Sequence, residues 1–241
     1  MKQFVVDIGN TRIKTALFDG QGLVDEAYFE DFDTFFGFSQ QLAFDHALIS
    51  SVTYTEDDLK AQLDFPFLYL SKTTLLPIKN LYETPETLGV DRKAAAVGAR
   101  CIIEKGHLLA IDMGSCITYD FLDEEDRYYG GAISPGLKMR FRAMHQQTAR
   151  LPLLELSLGQ KPELIGNSTE KGMKSGVYFG ILHEIQGCIV AYQAKYPGLR
   201  VIICGGDSKI FESLTKDHIF VIPNLVLYGL NRILTHNVNF Q

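Results

Sequence analysis

The sequence has four cysteines, and none stands near another: Cys101, Cys116, Cys188 and Cys204 each sit in an apolar or glycine-rich run. No pair shows metal-ligand spacing, so buried reduced thiols and a cytosolic setting are the expectation. No apolar run reaches the length of a bilayer span. The opening stretch carries Asp7 inside its only apolar segment, which a signal peptide would not. Basic clusters are lacking too. With 23 Lys and Arg against 29 Asp and Glu the formal net charge is −6, so neither nucleic acid nor a membrane is an expected partner. The histidines (His46, His107, His145, His183, His218 and His236) are scattered and make no Ser/His/Asp or Cys/His arrangement. The acidic run Asp123-Glu124-Glu125-Asp126 reads as a solvated hairpin tip. No low-complexity tract or long linker interrupts the chain. What remains is 241 residues, 46% hydrophobic, enough for one large domain or two modest ones.

Apolar alternation and turn residues organise those residues into two similar halves. The first predicts strands at 4–6, 13–18 and 23–29, a helix over 32–43, a strand at 47–49, a helix opening at Thr55 and another over 87–104. The second predicts strands at 108–111, 117–122 and 128–133, helices over 135–144 and 169–192, strands at 201–204 and 220–222, and a last helix over 225–234. Residues 153–166 read as loop. In the 169–192 helix Met173, Val177, Ile181, Ile185 and Ile189 recur every four residues, a deeply buried stripe. Each half begins strand, Asp-x-Gly turn, strand. An internally duplicated α/β chain follows, divided near Gly106 into residues 1–106 and 107–241.

The turns are where chemistry is expected. Asp7-Ile8-Gly9-Asn10 and Asp112-Met113-Gly114-Ser115 each combine an acid, a glycine and small polar residues. Glycine lets the backbone approach phosphate oxygens, while amides and a hydroxyl donate to them. An aspartate does not favour phosphate itself, so its natural work is to hold a cation that bridges the anions. Lys14 adds a point charge. One such loop is an ordinary hairpin; two, facing each other, would clamp a nucleotide triphosphate. Three further motifs carry alternatives. Gly89-Val90-Asp91-Arg92 is either a functional turn or a simple helix cap. Gly130 to Gly136 is tight packing or a pocket wall. Gly205-Gly206-Asp207 is a strand–helix turn or the place where a nucleotide base or ribose lies.

In order along nearly the whole chain, these motifs resemble those of type III pantothenate kinases, members of the acetate/sugar kinase–Hsc70–actin superfamily. The resemblance rests on Asp7-Ile8-Gly9-Asn10-Thr11 with Lys14, Ser50-Ser51-Val52, Tyr82 and Pro85, and Gly89-Val90-Asp91-Arg92. It continues through Asp112-Met113-Gly114-Ser115, the 130–136 glycine turn, Thr148-Ala149-Arg150-Leu151-Pro152, Gly166-Asn167-Ser168-Thr169 and Gly205-Gly206. It implies a duplicated ribonuclease H-like (actin-like ATPase) α/β fold, two domains each with a mixed sheet flanked by helices. The second domain would carry the adenosine-side glycines.

The reaction implied is ATP-dependent phosphorylation of pantothenate to 4′-phosphopantothenate, the first step of coenzyme A synthesis. The resemblance assigns ATP contacts to Asp7, Ile8, Gly9, Asn10, Thr11, Arg12, Ile13, Lys14 and Ser115. It assigns the pantothenate pocket to Tyr82, Gly89, Val90, Asp91, Arg92 and Thr169, with Asp91 as general base. Magnesium would accompany ATP, Asp112 would bind potassium or ammonium, and the protein would be a homodimer. Arg92 would face anionic substrate groups, unless it pairs with Asp91 or a structural acid. The second loop departs from the usual Asp-x-Gly-Thr-Ala, with Ser115 and Cys116 in the last two places, and keeps the hydroxyl. Another small-molecule kinase of this fold and a non-catalytic regulator are the alternatives.

Overall fold

The computed structural model describes residues 1–214 and 219–239; His218 lies outside them. In chain order β1 (Lys2–Ile8), β2 (Ile13–Asp19) and β3 (Gly22–Phe29) lead to α1 (Phe32–Ser39), β4 (His46–Ser51) and α2 (Glu56–Lys60). The two-residue strands β5 (Leu68–Tyr69) and β6 (Lys79–Asn80) precede α3 (Val90–Ile102). Then come β7 (Leu108–Met113), β8 (Cys116–Leu122), β9 (Arg127–Pro135), α4 (Leu137–Gln147) and α5 (Thr169–Lys195). The chain closes with β10 (Arg200–Cys204), a 3₁₀ helix (Ser208–Leu214), β11 (Ile219–Val221) and α6 (Leu225–Val238).

Two compact units result. The first comprises Met1–Glu104, Asp126–Tyr129 and Asn224–Gln241; the second Lys105–Glu125 and Gly130–Pro223. The first unit's sheet runs β3-β2-β1-β4-β5. Strands β1, β2 and β3 are antiparallel neighbours, whereas β1–β4 and β4–β5 are parallel. Alternation along β1 sends Phe4, Val6 and Ile8 to one face, where they bury with Phe35, Ile49 and Leu59 among partly buried phenylalanines. Gln3 takes the other face, where Thr235 of α6 donates to its side-chain oxygen at 3.0 Å. On that face Phe18 of β2 meets Tyr228 of α6 edge-on, with 5.5 Å between ring centroids. Helices α3 and α6 cross at two glycines. A Cβ at Gly98 would stand 2.2 Å from the Leu225 carbonyl oxygen, and one at Gly229 only 1.8 Å from that of Ala94.

The second unit repeats the plan, β9-β8-β7-β10-β11, with β7–β8 antiparallel and β7–β10 and β10–β11 parallel. Helix α5 presents the expected stripe: Met173, Val177, Ile181, Ile185 and Ile189 are all buried against Leu109, Ile111, Tyr119, Phe121 and Val201. Strand β9 begins in the first unit, where Arg127 and Tyr128 pair with β6, and continues in the second.

The sheet orders bear out the duplicated α/β reading, with corrections in detail. Helix α1 stops at Ser39, not 43, where the amides of Gln41 and Leu42 turn to the carbonyls three residues back, Phe38 and Ser39, in a tightened last turn. Strands β5 and β6 and the 3₁₀ helix are too short to leave a periodic pattern. The last helix, counted with 107–241 in the sequence, packs in the first unit. Cys101 is exposed, and only Cys204 is buried. The acidic tip is not wholly solvated. Asp123 is buried and accepts from the Glu125 amide, and Asp126, at a left-handed φ of 60°, pairs with Arg100 at 2.6 Å.

Candidate active site

Asp7 is the penultimate residue of β1, in register with Lys14 on β2 and Ser50 on β4. All three stand on the side of the sheet that carries Gln3, opposite the phenylalanine-rich face. The turn beyond is closed by the Gly9 amide donating to the Arg12 carbonyl at 3.1 Å. Asn10, Thr11 and Arg12 are exposed there; Ile8 and Ile13 point into the core, so only their backbone is available to a ligand. The Ile8 carbonyl already accepts from Val52. Ser50 is fully buried, and its hydroxyl has no hydrogen-bond partner.

Helix α3 supplies the second group. Its N-cap is Gly89, which has no side chain to cap with. Asp91 folds back instead: its Oδ1 accepts from the Arg92 amide at 2.8 Å and occupies the space over Gly89, 2.5 Å from where a Cβ would be. The cap reading and the functional reading of Asp91 are thus the same geometry, a half-exposed carboxylate fixed at the positive end of a helix. Arg92 is buried with its guanidinium 5.6 Å from the centre of the Tyr82 ring, and Tyr82 lies 6.2 Å from Tyr128. Val90 and Tyr82 are half-buried. Lys93, the last residue of the first turn, is only 3% exposed.

In the second unit Asp112 is the penultimate residue of β7, in register with Thr118 and Cys204. Gly205, at φ 91°, makes room for its carboxylate: a Cβ would stand 2.3 Å from Asp112 Oδ1. Gly136 packs closely on the loop: a Cβ there would stand 2.3 Å from the Gly114 carbonyl oxygen, and its amide donates to the Ser115 carbonyl at 3.1 Å. The Ser115 side chain is exposed. Asp112 Oδ1 and the Met113 carbonyl oxygen thus meet over Gly205, oxygens of the kind that suit a hard cation. The Asp207 amide donates to the Met113 carbonyl at 3.0 Å, and burial raises its carboxyl above the ordinary range, with Lys138 opposing. Thr169 opens α5, exposed, beside the N-cap Ser168.

The family model for type III pantothenate kinase matches residues 3–191. A type III pantothenate kinase of Bacteroides fragilis is 44% identical over 238 residues, 97% of either chain. One from Cytophaga hutchinsonii is 41% identical over 97% of this chain and 99% of its own. This chain belongs to the type III pantothenate kinase family. Solved structures share its fold at lower identity. A Baf family protein of Campylobacter jejuni superposes with a TM-score of 0.63 at 24% identity, covering 98% of this chain and 99% of its own. The Clostridium difficile activator of 2-hydroxyisocaproyl-CoA dehydratase, solved with ADPNP, gives 0.55 at 14%, covering 100% and 95%. The fold is that of the actin-like ATPases and sugar kinases.

One polar cluster of this pantothenate kinase family member went unread in the sequence. Glu184 of α5 accepts from Tyr119 at 2.9 Å and from Ser134 at 2.5 Å, and pairs with Arg140, whose Nε also donates to the Pro135 carbonyl. Burial pushes the Glu184 carboxyl up, but the hydrogen bonds from Ser134, Arg140 and Tyr119 outweigh it and hold the carboxyl below the usual range. The network fixes the end of β9, and the next residue, Gly136, supports the Ser115 loop. Only the folded chain brings Glu184 to Ser134, 50 residues away.

Proposed function

We propose that this protein transfers the terminal phosphoryl group of ATP to the primary hydroxyl of pantothenate, giving 4′-phosphopantothenate. The observation that carries the reading is the Asp91 carboxylate, fixed over Gly89 by the Arg92 amide at the start of a helix. Phosphoryl transfer asks a protein for positioning and charge neutralisation more than for covalent chemistry. The Asp7–Lys14 turn would hold the phosphates, through backbone amides, Thr11 and Lys14. Asp91 would accept the hydrogen bond of the pantothenate hydroxyl. A carboxylate is a weak base for an alcohol, so it orients the nucleophile and takes the proton late, an effect worth about 10²–10⁴ in rate. Tyr82, Val90, Arg92 and Thr169 would line the acceptor pocket. Arg92 would act largely by bracing Tyr82, on whose ring its guanidinium stacks.

Magnesium would enter with ATP, and potassium or ammonium would sit at Asp112, supplying positive charge to the phosphates. The single carboxylate set among carbonyl oxygens suits a monovalent ion. Ser115 would complete the ATP contact. The protein would work in the cytoplasm as a homodimer. No helix is long and apolar enough to cross a membrane among the described residues.

The assay is ADP release from purified protein with Mg-ATP and potassium, offered pantothenate, acetate and sugars in turn. Release with pantothenate alone is expected; release with a sugar, or with none, overturns the assignment. Asp91→Asn should bind ATP as the parent does and lose at least about 10²-fold in kcat. Near-normal turnover would remove Asp91 from the base role.

A further inference from the structure

Lysine is almost never buried unless something pairs with it. Lys93 is 3% exposed as a residue, and among the described residues no hydrogen bond or ion pair reaches its ammonium, whose nitrogen keeps a slight contact with solvent. Its position makes the isolation more costly. It closes the first turn of a 13-residue helix, where the aligned peptide dipoles favour anions and oppose cations. Burial pulls the ammonium below the ordinary lysine range, and the charge of Lys72 pulls the same way. Lys72 follows β5 by three residues, beyond the carboxyl ends of the parallel strands β4 and β5. The neighbouring charge is thus of the same sign. Ser50, near the carboxyl end of β4, adds a fully buried hydroxyl with no partner, and α3 packs on β4.

A lysine with a buried stem and no anion beside its ammonium, at a helix N-terminus two residues from Asp91, is placed to receive one. We propose that Lys93 is an anion-binding residue of the acceptor and nucleotide site, whose counter-ion is an anionic oxygen group brought by a substrate. The carboxylate of the acceptor and the terminal phosphate of the nucleotide share that chemistry. The inference rests on the kinase reading for its choice of substrates, and assigns a residue to recognition that the sequence motif ends just short of.

The test is isothermal titration of the parent and of Lys93→Met with three probes: pantothenate, its uncharged primary amide, and Mg-ATP. Loss of one partner of a buried charge pair weakens binding by about 30-fold or more. Selective weakening for pantothenate, with the amide unaffected, places the acceptor carboxylate on Lys93; selective weakening for ATP places the phosphate there. Either supports the proposal. Unchanged affinity for all three, or equal weakening of all three including the amide, overturns it. Apo stability is an independent readout. Removing an unpaired buried charge should leave the thermal midpoint unchanged or raise it, whereas a lysine kept for packing would lower it. Lys93→Gln, of similar reach and no charge, guards against a shape effect of methionine. Parent protein that turns over no pantothenate would sink the kinase reading alone, and the ATP arm would still decide Lys93.

Discussion

Asp91 can fold back over position 89 because nothing projects there. The Gly89 backbone, at φ −55° and ψ 136°, is one any residue adopts, so its glycine is explained by the carboxylate and not by conformation. Gly89→Ala should therefore lower kcat about 10-fold or more by displacing Asp91, while the thermal midpoint stays level or rises slightly as the unfolded chain loses freedom. A stability loss equal to the activity loss would contradict this. Glu184 gives a second residue-scale test. Its carboxyl is held below the usual range, so its contribution to stability is complete above the ordinary glutamate range and is lost as pH falls through its own, lowered value. The urea midpoint of the parent should drop between pH 6 and pH 3 by more than that of Glu184→Gln. At this scale the sequence was partly legible: the acid–glycine turns at Asp7 and Asp112 stand out by type and spacing, whereas Asp91 reads as either a helix cap or a functional acid until the family resemblance gives it a role. Lys93 did not stand out, since a lysine after an arginine in a first turn reads as solvated until the fold buries it.

Helices α3 and α6 approach until backbone touches backbone, and that closeness belongs to the pair. Gly229→Ala puts a methyl within 1.8 Å of the Ala94 carbonyl oxygen, with no flexible side chain to yield. About 3 kcal/mol of destabilisation is expected, read from chemical denaturation. Gly37→Ala in α1 is the control: the same exchange with open space around it should stabilise by about 0.5–1 kcal/mol. The stripe of α5 was readable because its four-residue recurrence lasts for five turns. Strands of two residues were not, since Leu68-Tyr69 and Lys79-Asn80 are fixed by neighbours that no local pattern contains. Periodicity also finds the buried face of α6 without naming what covers it, so counting this helix with the second half was the natural reading of sequence order.

For the molecule as a whole, the placement of α6 ties both ends of the chain into one unit. Among its residues Leu225, Leu227, Leu230, Ile233 and Leu234 are buried. A chain ending at Pro223 should lose cooperative unfolding of the first unit and be cut by protease within residues 1–104. The second unit, whose sheet is covered by α5, should resist longer. Fragment mapping by mass spectrometry checks it, and equal lability of both units would contradict the division. The duplication itself was legible from two strand–acid–glycine–strand openings, whereas the sharing of β9 between units was not. A strand's sequence marks its faces, and Arg127 to Pro135 reads as one strand whichever neighbours it meets.

The same helix sets an order of events on the ribosome. The sheet begun by residues 2–29 is made before the second unit, but one of its faces waits for residues 225–238, which are made after that unit. The second unit, whose α5 follows its hairpin within the same stretch of chain, has its cover synthesised earlier. The unit begun earlier of the two is therefore completed later. Throughout synthesis its Asp7 strand stands half-covered, the interval in which a chaperone or a neighbouring nascent chain would find it.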